Sequence, residues 1–140
     1  MEDRAQVLAD KAEIVELMTR YCFAVDFRDF EQLREVFTTD AEATYVLSPL
    51  NLGLEDVHLS GADAIVEWLS SVLGNLGEPG PRHAMTNYLI QVHGDHAHSR
   101  NYLAGGGGLY TVDHVRTPDG WRAARWEMRN FPRPPAIQPG

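Results

Sequence analysis

Two side chains in this sequence are of the types that move protons near neutral pH: Asp26, which closes a stretch striped with apolar residues, and His83, which stands near the start of a strand-like run. Imidazole changes charge close to pH 7, and a carboxylate accepting from one ring nitrogen fixes the tautomer and leaves the other nitrogen as a neutral base. Brought together, the two could remove a proton from carbon. Asp26 lies one position past Val25, at the edge of the apolar stripe, so it could face inward from a helix end. His83 shares strand parity with Met85, Asn87 and Leu89, and these four are expected on one face. Taken singly, Asp26 could equally cap its helix and His83 could be a hydrogen-bonded core residue.

Tyr21 and Tyr45 are the next candidates, phenols able to donate to a carbonyl or leaving oxygen as charge develops. The alternative for each is an amphipathic residue at the core edge. Asn87 could orient His83 or a ligand oxygen, or could bond to neighbouring backbone. Trp68 and Met85 could line a pocket, with ordinary core packing as the competing reading. Among Arg122, Arg125 and Arg129 of the last strand-like run, Arg129 could neutralise a substrate carboxylate, surface pairing being the favoured alternative. His93, His96 and His98 have the two-residue spacing of metal ligands on a strand, but Gly94-Asp95 reads as a turn between them and no cysteine or acid completes the set. A solvated hairpin is favoured there, and no metal or cofactor is expected. The tract from Gly105 to Gly108 lacks the Lys-Ser/Thr of a phosphate loop and reads as a hairpin or bulge.

These residues need elements to position them. Over residues 10–26, Ile14, Leu17, Met18, Tyr21, Cys22 and Val25 recur at helical spacing. A short helix capped by Asp29, with Leu33, Val36 and Phe37 on its apolar side, is expected to end at residues 38–40. A strand over residues 41–47 follows, then a long connection over 48–60 marked by Pro49, Asn51 and Gly53. A third helix opens at Gly61-Ala-Asp63, with Ile65, Trp68, Leu69, Val72 and Leu73 on one face, and is broken over residues 74–81. The period then changes: residues 82–93, 96–103, 109–116 and 121–130 read as strands joined by short turns, which favour antiparallel hairpins. Three helices before a strand-rich half predict an α+β domain whose helices cover the concave face of a bent, mostly antiparallel sheet. That concavity is the natural place for a mostly apolar pocket. The proline-rich residues 132–140 cannot join a ladder and read as a tail or a strap.

At 140 residues the chain fits one domain. Its formal charge of −8 disfavours nucleic acid and anionic membrane surfaces as partners. A single cysteine, Cys22, and a charged N-terminal stretch without a secretory signal lead to the expectation of a reducing cytoplasm. No run approaches the roughly 18 apolar residues that a membrane span needs.

Several short motifs together, Tyr21 through Asp26, Phe37-Thr-Thr-Asp40-Ala41, Gly61 through Ile65, Arg82-His83 with Asn87, Gly94-Asp95-His-Ala97 and Asp119-Gly-Trp121-Arg122, resemble the SnoaL-like branch of the nuclear-transport-factor-two-like superfamily. The similarity covers roughly residues 12–129. It implies a cone-like α+β barrel with a deep cavity, in a family that includes scytalone dehydratase, bile-acid dehydratase, a dehydrochlorinase, polyketide cyclases and small subunits of ring-hydroxylating dioxygenases. It also implies that Asp26 and His83 form a base dyad and that Tyr21 matches a tyrosine of the dehydratases; Tyr45 matches by strand position only. The second histidine of scytalone dehydratase has no assigned counterpart among His96, His98 and His114. A homo-oligomer, dimer or trimer, is implied as well. The resulting expectation is a cofactor-independent lyase or isomerase acting on a small cyclic or polycyclic molecule. The alternative is a non-catalytic ligand-binding protein or a small subunit of an oxygenase.

Overall fold

The computed structural model describes residues 3–76, 80 and 82–133. Helix α1 spans Arg4–Asp26, beginning where the Asp3 side chain accepts from the Ala5 amide at 3.0 Å. It starts six residues before the apolar stripe because its first turns are built from good helix formers that need no buried face. Helix α2 (Phe30–Glu35) is capped by Asp29, which accepts from the Gln32 amide at 3.1 Å. It stops earlier than expected. Phe37 already pairs with Ala123, so strand β1 runs Phe37–Val46 and absorbs the β-branched pair Thr38-Thr39.

The connection expected over residues 48–60 also carries structure. A 3₁₀ turn at Ser48–Leu50 is followed by strand β2 (Val57–Ser60), antiparallel to β1, and Asp56 Oδ1 accepts from the Leu47 and Ser48 amides at 2.9 Å each. Helix α3 spans Ala62–Leu76. Strands β3 (Met85–His93), β4 (His96–Leu103), β5 (Gly108–Thr117) and β6 (Gly120–Asn130) then form successive hairpins. The expected strand over 82–93 thus begins three residues later, leaving His83 on the segment that leads into β3.

The six strands lie in the order β2-β1-β6-β5-β4-β3, antiparallel except where β1 meets β6. The sheet is curved but unclosed, so the cone has two free edges. Helices and inner face bury one core, with Ile14, Leu17, Met18 and Tyr21 of α1 packed among Tyr110, Val112, Trp121 and Trp126 of the sheet. Asp10 fixes how α1 lies on that face. Its carboxylate accepts two Arg116 N–H groups at 2.8 Å each and the Trp121 indole N–H at 3.1 Å, while Arg116 stacks 4.5 Å above the Trp121 ring. With its first half anchored at the β5–β6 hairpin, α1 carries Asp26 toward β3. No helix among the described residues is long and apolar enough to cross a membrane.

Candidate active site

Asp26 and His83 meet. The ring Nδ1 lies 2.7 Å from Asp26 Oδ1, and the backbone N–H of His83 donates to the same carboxylate, 3.2 Å from Oδ1 and 3.0 Å from Oδ2. Asp26 is only 9% exposed. One residue thus supplies the buried carboxylate with both a main-chain and a ring donor. With Nδ1–H donating, the Nε2 lone pair of His83 has no partner among the described residues.

The residues flanking the pair fasten it a second time. Arg82 donates from Nη1 to the Asp26 carbonyl oxygen at 3.2 Å and lays its guanidinium 5.3 Å from the centre of the Phe27 ring. Residue 82 therefore holds residues 26 and 27, just as residue 83 holds the carboxylate. The sequence contained the Arg82-His83 motif, but nothing in it said which helix end the arginine would clamp.

Tyr21 and Tyr45 also meet, their hydroxyls 3.0 Å apart and both side chains buried. Desolvation drives the Tyr21 phenol far above its usual range, and Tyr45 is raised as well by the same cause. Trp68 is half-buried with its ring 4.6 Å from that of Tyr45. Met85 packs half-buried against the core on the inner side of β3.

Asn87 and Leu89 leave the face assigned to them. The β3–β4 register runs from Thr86↔Tyr102 to Leu89↔Arg100, so Asn87 and Tyr88 together oppose Asn101. This is a β-bulge, and Asn87 adopts φ +62, a left-handed conformation that asparagine tolerates better than most residues. The extra residue resets the parity. Asn87 and Leu89 are exposed, while Tyr88, Ile90 and Val92 continue the inner row begun by Met85. Tyr88 was missed because strict alternation from His83 placed it outside. An asparagine inside a strand was the available signal.

Arg129 is also on the outside, half-exposed and 3.3 Å from Glu127 Oε1, which realises the surface-pairing alternative. His93 and His96 face each other across the β3–β4 turn, His98 pairs with Asp113 at 2.7 Å, and no cluster of three metal-ligating residues exists among the described residues. His114 is buried and bonded to Ser99 Oγ at 2.8 Å through Nε2. It sits six positions along β5 from Gly108, the residue level with Met85, hence roughly 20 Å from the dyad end of the sheet. None of the three other histidines weighed joins Asp26 and His83. Gly108 has a steric reason to be glycine, since a Cβ there would collide with the Arg129 carbonyl and with Met128. The proline-rich segment expected over 132–140 falls outside the described residues from position 134 onward. A cleft of about 530 Å³ runs along β3, β4 and β5, lined by Leu89, Arg100, Tyr102, Leu109 and Phe131 and reached by Asn87, Tyr88 and Asn101.

Comparison with known proteins places this arrangement. An uncharacterized protein of Mycobacterium tuberculosis (strain H37Rv) is 38% identical over 135 residues, covering 84% of this chain and 83% of its own. A crystal structure from Novosphingobium aromaticivorans, provisionally named an aromatic ring hydroxylase, is 30% identical with a TM-score of 0.70, covering 88% of this chain and 90% of that one. Another from the same species, provisionally named a scytalone dehydratase, shares the fold at a TM-score of 0.75 and 21% identity, covering 92% and 89%. The family model described as the SnoaL-like domain matches residues 6–127, and on that match, over the helices and sheet that carry Asp26 and His83, the chain belongs to the SnoaL-like family.

Proposed function

We propose that the protein is a cofactor-independent lyase or isomerase in which His83 removes an acidic C–H proton from a small cyclic carbonyl compound held on the apolar inner face of the sheet. One observation supports this above the others: the 2.7 Å contact between His83 Nδ1 and the buried Asp26 carboxylate, with Nε2 left free. Asp26 holds the tautomer and stabilises the imidazolium once the proton has moved. The electron pair of the broken C–H bond enters a C=C bond, and the carbonyl π pair goes to oxygen. Expulsion of a β-hydroxyl from that enolate gives a dehydratase; return of the proton to another carbon gives an isomerase; attack of the enolate carbon on a second carbonyl gives a cyclase. Trp68 and Met85 are the apolar walls of this reading, and the Tyr21–Tyr45 pair its floor. The protein acts as a homo-oligomer that pairs through the sheet's outer face.

The experiment is α-proton exchange of 2-tetralone in D₂O, followed by NMR. Wild-type protein is expected to accelerate exchange, and His83→Ala and Asp26→Asn to lower that acceleration by about 100-fold or more. Acceleration unchanged in His83→Ala would overturn the proposal. The likeness to a provisionally named aromatic ring hydroxylase favours one second reading, a binding protein or small oxygenase subunit, in which both variants bind ligand or partner as the wild type does and no protein accelerates exchange.

A further inference from the structure

The bulge at Asn87 brings a phenol to the inner face that strict alternation would have placed outside. Following the register, Tyr88, Asn101, Tyr110, Met128 and Tyr45 form one row across β3, β4, β5, β6 and β1. Along that row the polar groups differ in what remains open to a ligand. Tyr45 is bonded to Tyr21. Tyr110 is fully buried, and its phenol is affected by that of Tyr21. Asn101 turns its amide N–H toward the Tyr102 carbonyl at 3.3 Å, and its Oδ1 is sealed from solvent. Tyr88 alone in the row is half-buried, and its hydroxyl has no hydrogen-bond partner among the described residues.

Tyr88 also lies at the right end of the helix. Its strand packs against α1, which carries Cys22 and, one helical turn further along, Asp26. Burial pushes both the Tyr88 phenol and the Cys22 thiol up to about 12, so at neutral pH each is uncharged. A neutral O–H donor in a partly desolvated site suits an oxygen that gains charge during reaction, and the guanidinium that lies beside the dyad, Arg82, is engaged on the Asp26 carbonyl and the Phe27 ring. Arg129, the residue expected to neutralise a carboxylate, pairs on the outer face.

We infer that Tyr88 is the hydrogen-bond donor to the ligand's oxygen, and that the ligand is a neutral, enolisable ketone or aldehyde rather than a carboxylate. The inference rests on the Asp26–His83 reading. As His83 Nε2 takes the proton from the α-carbon, the carbonyl oxygen becomes enolate and the Tyr88 O–H bond to it strengthens. Return of a proton, or of a deuteron in D₂O, to carbon completes the exchange without any other reactant.

The infrared carbonyl band of bound 2-tetralone separates the two claims. Wild-type protein is expected to lower the band relative to an aprotic solvent. Tyr88→Phe is expected to restore it and to slow exchange by about 100-fold. Tyr21→Phe and Tyr102→Phe keep the lowered band, and His83→Ala keeps it too while losing exchange. A band still lowered in Tyr88→Phe, or restored in Tyr21→Phe, would overturn the assignment of Tyr88 and leave the dyad standing. Exchange unaffected by His83→Ala, with the band restored in Tyr88→Phe, would remove the dyad and keep the donor. A wild-type protein that leaves 2-tetralone unbound would overturn the ketone assignment itself.

Discussion

A carboxylate at the last position of a helix normally reaches for water, and Asp26 does not, because the backbone and ring of His83 both donate to it. The dyad is thus closed by main chain as well as side chain, and a substitution at 83 that keeps the backbone keeps part of the carboxylate's solvation. His114 presents the opposite case. Its ring is buried with one nitrogen on Ser99 and the other without a partner among the described residues, and desolvation lowers its proton affinity from the ordinary 6.5 to about 4, with Asp113 opposing and His98 reinforcing that change. A group whose folded-state value is depressed in this way is neutral in the native protein, so its contribution to stability is whole above pH 6.5 and is lost as pH falls toward 4. The expected loss across that window is on the order of 3 kcal/mol. Urea midpoints at pH 7, 5.5 and 4 measure it, and His114→Gln is expected to flatten the dependence. A midpoint as steep with pH in the variant as in the wild type would place the acid sensitivity elsewhere.

Among the elements, α1 is the one whose placement decides the site, since it carries Tyr21, Cys22 and Asp26. Its apolar stripe makes it pack on the sheet, but a stripe does not say how far the helix slides along its axis. Asp10 does. Held by Arg116 and by the Trp121 indole, it sets the end of α1 remote from the dyad and thereby the reach of Asp26. Removing one partner leaves the Trp121 donor unsatisfied and the guanidinium without its carboxylate. Asp10→Ala is expected to cost about 2–4 kcal/mol in chemical denaturation. It is also expected to weaken 2-tetralone exchange while leaving residues 26 and 83 untouched. An unchanged denaturation midpoint would show that the apolar stripe alone seats the helix. Strand β3 makes the complementary point. One extra residue at Asn87 exchanges which side chains face inward, so the inner face is decided by a local φ of +62 and not by the run of apolar residues.

Across the whole molecule, the inner face of the sheet is covered by helices and the outer face is not. Near one end of that outer face Leu89 is 63% and Tyr102 47% exposed, and with Leu109 and Phe131 they surround the 530 Å³ cleft. An apolar patch of this kind on a chain of charge −8 calls for a partner surface with little charge at its centre, and a second copy of the same patch meets that need. At micromolar concentration the protein is expected to sediment as a multiple of 15.7 kDa, and Leu89→Lys is expected to shift it to the monomer with its helical circular dichroism intact. A wild-type species of 15.7 kDa would overturn that expectation.

Periodicity determined the three helices, the four hairpin strands and the α+β class, because a repeat of 3.6 or 2 follows directly from which faces must be buried. Motif matches then singled out Asp26 and His83, and the two residues do meet. What the sequence did not contain was everything that depends on two distant segments coming together. The end of α2 was misplaced because the parallel pairing of Phe37 with Ala123 overrides a local helical pattern. Strand β2 was read as loop because its partner β1 is not legible from its own four residues. The inward assignment of Asn87 went astray for a related reason: parity is local, whereas a bulge and the sheet's curvature are settled by the neighbouring strand. The Asp10–Arg116 bond, spanning 106 positions, and the inward turn of Tyr88 were decided by tertiary structure alone, since only the closed register sets those atoms side by side.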